Sequence, residues 1–91
     1  MREINPSGAA EKFFKKLPPK HRRQIAEKVF ALAKEPQALD SRLLQGFVGY
    51  HRVDVGEYRI IYSWSSTMLS IALIGKRNDD EVYRKFRRMI E

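Results

Sequence analysis

The 91-residue chain contains no cysteine and only two histidines, His21 and His51, and these absences exclude several kinds of site. Without cysteine there can be neither a disulfide framework nor a zinc site built on thiolates. Two isolated histidines do not make a metal-binding cluster, so we expect no metal centre and no cofactor. The absence of cysteine also fits a reducing compartment, and we therefore expect a cytoplasmic protein.

Long hydrophobic runs are missing as well. No apolar segment approaches the roughly 20 residues that a membrane-spanning helix requires. The first residues, MREINPSGAAEKFF, lack the apolar block of a signal peptide. We therefore expect a soluble protein that is not exported and has no membrane partner. The length of the chain, residues 1–91, predicts one domain around a single core.

Acidic residues are few relative to basic ones. The chain has 18 Lys and Arg against 11 Asp and Glu, which gives a formal net charge of +7. The positive electrostatic potential that such a net charge creates around a small protein favours a polyanionic partner. Net charge alone leaves RNA, DNA, an anionic membrane surface and an acidic protein open as that partner.

The N-terminal half has the pattern of a short strand followed by two helices. The segment REIN suggests the strand, and Ser7 can cap a helix over GAAEKFFKKL. The prolines at 18 and 19 end that helix and start a second one, which runs through KHRRQIAEKVFALAKE to Pro36. The two helices should form a hairpin, with the following basic residues on its outer face: Lys12, Lys15, Lys16, Lys20, Arg22 and Arg23.

The C-terminal half predicts a sheet and a final helix. Residues 47 to 55, 58 to 64 and 68 to 74 are rich in β-branched and aromatic residues. From Asp79 to Glu91 the spacing is helical again, with Asp79, Asp80 and Glu81 where a helix N-terminus favours negative charge. The fold class is therefore α+β: an N-terminal helical hairpin packed on a small, mostly antiparallel four-stranded sheet, with a short C-terminal helix.

The segment GYHRVDVGEYRIIYSW, residues 49 to 64, separates into two faces. If Gly56 and Glu57 form a two-residue turn, Asp54 lies opposite Arg59, and Arg52 falls on the same side of the hairpin as both. The opposite side carries the apolar and aromatic set expected to face the core: Val53, Val55, Tyr58, Ile60 and Tyr62. The plain interpretation of the charged face is a solvated surface with a cross-strand ion pair.

A second polar segment, GKRNDDEVY, can supply partners for that face. It places Lys76 and Arg77 at the end of the last strand and Tyr83 in the first turns of the final helix. Arginine binds phosphate through two donors at once, and tyrosine offers a ring on which a base can stack. These residues favour an RNA site, with Tyr50 as a further aromatic residue lining it.

For both histidines, the sequence favours an ordinary position in the fold over a role in the candidate site. Strand alternation puts His51 on the core side of the hairpin, so we expect a partly buried structural histidine. His21, in PPKHRRQ, is expected to be an ordinary surface residue of the second helix.

The strings YHRVDVGEYRIIY and LIGKRNDDEVY resemble the RelE/ParE superfamily of bacterial toxins, and the RelE branch in particular. The resemblance covers most of the chain, including the order of elements. It implies the toxin of a type II toxin–antitoxin pair, a ribosome-dependent endonuclease that cuts mRNA in the ribosomal A site by attack of a 2′-hydroxyl, without metal. The implied partners are the 70S ribosome with its mRNA and a cognate acidic antitoxin, through which alone the toxin would contact operator DNA.

The resemblance also implies roles for the matching residues. Arg52 falls on a basic catalytic position, Arg59 and Arg77 on arginines that stabilise the charged phosphorane, and Tyr83 on the tyrosine that stacks against the substrate. Contacts with RNA are implied for Lys76, Lys16, Lys20, Arg22 and Arg23.

One position departs from the RelE pattern, because Asp54 stands where RelE has a second lysine two residues after the first. Pairing with Arg59 should lower the pKa of this carboxylate and weaken it as a base. The general base stays open between Asp54, His51 and Tyr83. Two other functions also stay open, a ParE-like toxin that poisons DNA gyrase and an RNA-binding or regulatory module that has lost catalysis.

Overall fold

A computed structural model of the chain describes residues 1–78 and 81–90. The elements follow in the order β1 (Glu3–Pro6), α1 (Gly8–Lys15), α2 (Pro19–Lys34), β2 (Arg42–Leu43), β3 (His51–Val55), β4 (Tyr58–Trp64), β5 (Met68–Lys76) and α3 (Glu81–Ile90). The α+β class, the helical hairpin and the short final helix are confirmed. The acidic N-terminus expected for α3 at Asp79, Asp80 and Glu81 lies outside the described side chains.

The described strands form one sheet in the order β1-β5-β4-β3-β2. β1 runs parallel to β5, and the other pairs are antiparallel. The prediction of four strands is wrong by one, because Arg42 and Leu43 pair with Arg52 and His51. This edge strand has only two residues, both exposed, so it shows no alternation by which a strand could be recognised in the sequence.

The β3–β4 hairpin has the predicted register. Asp54 is paired with Arg59 and Val55 with Tyr58, so Gly56 and Glu57 form the connection. Gly56 has a φ of 57°, a left-handed conformation that glycine adopts without steric cost and that two-residue hairpin turns require. The alternation of faces inferred from the sequence therefore holds along the hairpin.

The helical hairpin covers one face of the sheet and forms the main core. Ser7 caps α1 by accepting a hydrogen bond from the backbone N–H of Ala10 at 3.1 Å, and Pro19 stands in the first turn of α2. The buried side chains of this core come from both helices and from β3, β4 and β5, and they are Ala10, Ile25, Leu32, Ala33, Val53, Tyr58, Ile60, Tyr62, Leu69, Ile71 and Ile74. The predicted core face of the β3–β4 hairpin is confirmed.

The opposite face of the sheet is covered in part by α3. Here Ile61 and Leu73 of the sheet and Val82 and Phe86 of α3 are buried together with Leu44. The expectation of a single core is therefore wrong, because the amphipathic final helix buries its apolar side on the face where the charged residues lie. Within the described residues, no helix combines the length and the apolar character needed to cross a membrane.

Candidate functional site

The charged face of the β3–β4 hairpin centres on the guanidinium group of Arg59. Its Nε donates to Oδ1 of Asp54 at 2.6 Å, and its Nη2 donates to Oδ2 of the same carboxylate at 3.2 Å. Its Nη1 donates to the hydroxyl oxygen of Tyr83, whose ring centroid lies 5.7 Å from Arg59 Cζ. Two hydrogen bonds to one carboxylate fix the plane of the guanidinium, so Arg59 is held in a defined orientation.

Three elements bring these residues together. Asp54 on β3 faces Arg59 across the hairpin, and Gly75 on β5 is paired with Arg59 on its other side. Val82, the residue before Tyr83, is buried against the sheet. A Cβ atom built on Gly75 would lie 2.9 Å from Val82 Cγ2, so the bare backbone of this glycine allows α3 to approach the sheet and to place Tyr83 beside Arg59.

Gly75→Ala should therefore destabilise the protein and disturb the contact between Tyr83 and Arg59. The added methyl group would overlap Val82, and overpacking of this kind costs about 1–3 kcal/mol of unfolding free energy. Chemical denaturation measures the effect. In the double variant Gly75→Ala/Val82→Ala the loss should be smaller than the sum of the two single losses. Gly8→Ala is the control, since a Cβ there meets nothing within 4 Å, and equal stability of the Gly8 and Gly75 variants would contradict this account.

The electrostatics of the pair agree with the expectation that Arg59 lowers the pKa of Asp54. The hydrogen bond from Arg59 and its charge hold the pKa of Asp54 below the ordinary value against the opposing effect of burial, and the charges of Arg52 and Arg77 lower it further. The pKa of Arg59 is raised, chiefly by its hydrogen bond to Asp54. At neutral pH the site therefore contains a carboxylate and several cations, and the predicted ion pair between Asp54 and Arg59 is confirmed.

Arg52 and Tyr83 line a first cleft, of about 270 Å³. Its remaining walls are Leu43, Leu44 and Gln45. Leu43 belongs to the edge strand β2, and Leu44 and Gln45 follow it directly. Gln45 was not singled out from the sequence, because the cleft depends on a strand pairing that the sequence pattern does not show.

Arg77 lies at a second cleft, of about 600 Å³, on the side of the hairpin turn. Its backbone N–H donates to the carbonyl oxygen of Glu57 at 2.9 Å, which ties the end of β5 to the turn. The lining of this second cleft is Lys20, His21, Gln24, Gly56, Glu57, Arg77 and Asn78. The structure thus brings Arg52, Arg59 and Tyr83 together, and it places Arg77 beside Lys20, close enough to Asp54 to lower the pKa of that carboxylate.

The other residues expected to contact RNA occupy different positions. Tyr50 is partly buried and stands edge-on against Phe86, with ring centroids 4.8 Å apart, so it packs beneath α3. Lys76 is exposed at the end of β5. The expected basic residues of the helical hairpin lie at or near the junction of its two helices, where Lys16, Lys20 and Arg23 are exposed and Arg22 is half-buried.

His51 lies on the core side of the hairpin, as predicted. Its ring centroid is 4.4 Å from that of Trp64 and 5.9 Å from that of Tyr62. Its Nδ1 is buried and has no hydrogen-bond partner within residues 1–78 and 81–90, and burial lowers its pKa. A neutral histidine on this face is separated by the sheet from Arg59 and Tyr83.

His21 is not the ordinary surface residue that the sequence suggested. Its Nδ1 is hydrogen-bonded to the hydroxyl group of Tyr58 at 2.6 Å, and the two rings are in edge contact with centroids 5.2 Å apart. The contact joins α2 to β4 across 37 positions of the chain, so no local pattern could have revealed it. Within the described residues, no group of three or more His, Asp or Glu side chains is arranged to hold a metal ion.

Known proteins resemble this chain in structure more clearly than in sequence, since neither family models nor curated proteins give a match. The E. coli toxin RelE, as a double mutant in the free state, superposes with a TM-score of 0.81 at 20% identity, covering 99% of this chain and 98% of that chain. A chain of the archaeal RelE–RelB complex from Pyrococcus horikoshii has a TM-score of 0.69 at 25% identity, covering 84% and 94%. A chain of the E. coli DinJ–YafQ toxin–antitoxin complex has a TM-score of 0.69 at 22% identity, covering 85% and 93%.

The superposition on the E. coli toxin RelE spans nearly the whole of both chains, and the other two span more than nine tenths of each solved chain. The resemblance inferred from the sequence is confirmed at the level of the fold: the chain has the RelE-like toxin fold.

Proposed function

We propose that this protein is the toxin of a type II toxin–antitoxin pair and acts as a ribosome-dependent endoribonuclease on mRNA. The observation that carries the proposal is the fixed guanidinium of Arg59, held between Asp54 and Tyr83 and flanked by the cleft of Arg52. The cluster consists of residues for which the sequence resemblance implies catalytic roles, and it lies on a RelE-like fold. A positioned guanidinium beside an aromatic hydroxyl is suited to a reacting phosphate.

The proposed reaction is attack of a 2′-oxygen on the adjacent phosphorus, which breaks the bond to the 5′-oxygen of the next nucleotide. A proton leaves the 2′-hydroxyl and one is delivered to the departing 5′-oxygen, so the products are a 2′,3′-cyclic phosphate and a 5′-hydroxyl. Negative charge builds on the phosphorane between these events. Arg59 would bind it with the guanidinium N–H groups that Asp54 and Tyr83 do not use, and Arg77 would assist at the leaving oxygen.

The positions of Asp54, His51 and Tyr83 distinguish these three candidates for the general base. Asp54 is paired with Arg59 and has a lowered pKa, so it accepts a proton poorly. His51 lies on the other face of the sheet. Tyr83 accepts a hydrogen bond from Arg59 through its hydroxyl oxygen, which leaves its own O–H free for the substrate. This arrangement supports Tyr83 as the group that contacts the 2′-hydroxyl.

The proposed partners follow from charge and from the related complexes. The net charge of +7 and the exposed cations Lys16, Lys20 and Arg23 suit ribosomal RNA, and the same charges suit an acidic antitoxin. The DinJ–YafQ structure is a toxin–antitoxin complex, and the archaeal RelE structure is a complex with RelB. We therefore propose a cytoplasmic toxin that its antitoxin neutralises and that meets operator DNA only through that antitoxin.

A translating extract tests the proposal. Addition of the purified protein should produce mRNA cuts spaced by codons, only when ribosomes are present, and the new 5′ ends should be ligatable only after treatment with a polynucleotide kinase. Gyrase-linked DNA breaks without RNA cuts would instead indicate a ParE-like toxin. Absence of both kinds of break, from a correctly folded protein, would leave an RNA-binding module without catalysis.

A further inference from the structure

The second cleft contains two cations whose side chains are not committed elsewhere. Lys20, at the start of α2, and Arg77, just after β5, are both exposed, and neither side chain makes an ion pair or a hydrogen bond to another side chain of residues 1–78 and 81–90. Glu57 supplies the one carboxylate of the described lining, so the cleft keeps a net positive charge. Uncommitted lysine and arginine side chains in a cleft are suited to the oxygens of a phosphate group.

Neutral polar groups stand beside these cations. The Nδ1 atom of His21 is held by the Tyr58 hydroxyl at 2.6 Å, which leaves Nε2 as the ring nitrogen that a ligand can use. Gln24 and Asn78 are exposed on the same cleft. Its volume of about 600 Å³ falls within the roughly 300–1,000 Å³ of ligand-binding sites, so the cleft has room for a phosphate together with its ribose.

The position of the second cleft relative to Arg59 determines which phosphate it can reach. Gly75 is paired with Arg59, and Arg77 follows Gly75 by two residues, which corresponds to roughly 7 Å along the strand. The charge of Arg77 is also close enough to Asp54 to lower the pKa of that carboxylate. A nucleotide backbone extends by a comparable distance from one phosphate to the next. A strand whose scissile phosphate lies on Arg59 can therefore place a neighbouring phosphate in the second cleft.

The proposed reaction selects the neighbour on the 3′ side. Arg77 assists at the departing 5′-oxygen, and that oxygen belongs to the nucleotide on the 3′ side of the cut. Tyr83 contacts the 2′-hydroxyl, which belongs to the nucleotide on the 5′ side. The RNA strand should therefore run from Tyr83 towards the second cleft in the 5′ to 3′ direction.

We propose that the second cleft binds the phosphate that follows the scissile phosphate on its 3′ side, with Lys20 as a main contact. The inference rests on the proposed function, because it takes the ligand to be mRNA. It goes beyond that function by fixing the direction of the strand across the protein and by assigning Lys20 to the message instead of ribosomal RNA. Lys20 does not touch the reacting atoms in this account. It should therefore set the toxin concentration that cleavage requires and leave the maximal rate nearly unchanged.

The test uses ribosomes carrying a synthetic mRNA whose cut site has been mapped, with single phosphates replaced by neutral methylphosphonates. A neutral group at the phosphate 3′ to the cut should lower kcat/KM about tenfold for wild type, because contacts with both cations are lost, and only about threefold for Lys20→Ala. Lys20→Arg keeps the charge and should show the wild-type loss. A message that ends one nucleotide after the cut lacks this phosphate, so it should be cut as poorly as the methylphosphonate message until a 3′-terminal phosphate is added.

Lys15→Ala is the matched control. Lys15 is an exposed lysine of α1 that does not line the second cleft, so this variant should retain the full loss that the 3′ methylphosphonate causes in wild type. A second control varies the message. A methylphosphonate on the 5′ side of the cut should cost wild type and Lys20→Ala the same factor, because that phosphate lies away from the second cleft.

Equal losses from the 3′ methylphosphonate in wild type and Lys20→Ala would overturn the inference and leave the proposed function intact. An acidic protein segment would then be the better candidate for the ligand of this cleft. Coupling of Lys20 to the 5′ phosphate instead would overturn the direction of the strand. If wild type cuts no message, the proposed function fails and the inference fails with it.

Discussion

Arg59→Ala should lower the single-turnover rate of mRNA cleavage by at least about 100-fold, since removal of one preorganised donor to a developing oxyanion costs about 100- to 1,000-fold in other enzymes. Arg59 is the cation whose orientation the structure fixes most fully, through Asp54 on one side and Tyr83 on the other. The fold should survive the change, because the side chain of Asp54 is 36% exposed and water can solvate it once Arg59 is gone.

Two further variants make this prediction specific. Arg59→Lys keeps the positive charge and loses the planar two-donor contact, so its rate should fall between those of wild type and Arg59→Ala. Arg87→Ala removes an exposed arginine from the last turn of α3 and should cut at the wild-type rate. The site assignment would be refuted if Arg59→Ala arrested growth and cut mRNA as efficiently as the Arg87 variant, with thermal unfolding showing that both are folded.

The hairpin could be predicted from the sequence because its information is local. Strand alternation and a two-residue turn at Gly56 are enough to place Asp54 opposite Arg59 and to put His51 on the other face. The same alternation identified the core-facing side chains of β3 and β4, which the structure confirms. What a sequence pattern provides here is the register of neighbouring strands, which is enough to pair Asp54 with Arg59.

The features that sequence reasoning missed all depend on contacts between remote segments. β2 is defined by its pairing with β3 and not by its own two residues, so the cleft of Gln45 could not be foreseen. The hydrogen bond between His21 and Tyr58 joins a helix to a strand. The close approach of α3 to Gly75 creates a second buried cluster on the charged face, and it is this packing that brings Tyr83 to Arg59.

Substitution of Asp54 should have the second large effect on the cleavage rate, because its carboxylate orients Arg59. A carboxylate that holds the plane of Arg59 is a positioning residue, so Asp54→Ala should lower the cleavage rate by about 100-fold through misplacement of the guanidinium. Asp54→Asn keeps one oxygen that can accept from Arg59 Nε and should retain much more activity than the alanine variant. The asparagine variant separates positioning from proton transfer, because an amide cannot act as a base.

The pH dependence provides the decisive measurement. If Asp54 were the general base, the asparagine and alanine variants would lose similar factors, about 100- to 10,000-fold, and the acid limb of the pH–rate profile would disappear in both. We expect instead that Asp54→Asn keeps the shape of the wild-type profile. Equal, large losses in the two variants would refute the positioning role and restore Asp54 as the base.

Stability against acid tests the same ion pair without catalysis. Because the folded-state pKa of Asp54 is lowered, its contribution to stability is present above the unfolded-state value of about 3.9 and is lost as the pH falls through the folded-state value. The pair is partly exposed, so the contribution should be below about 1 kcal/mol. In urea denaturation, wild type should therefore be slightly more stable than Asp54→Asn at pH 7, and the difference should vanish in strong acid. A difference that stayed constant between neutral and strongly acidic pH would show that the carboxylate charge does not hold Arg59, and the positioning role would then lack its physical basis.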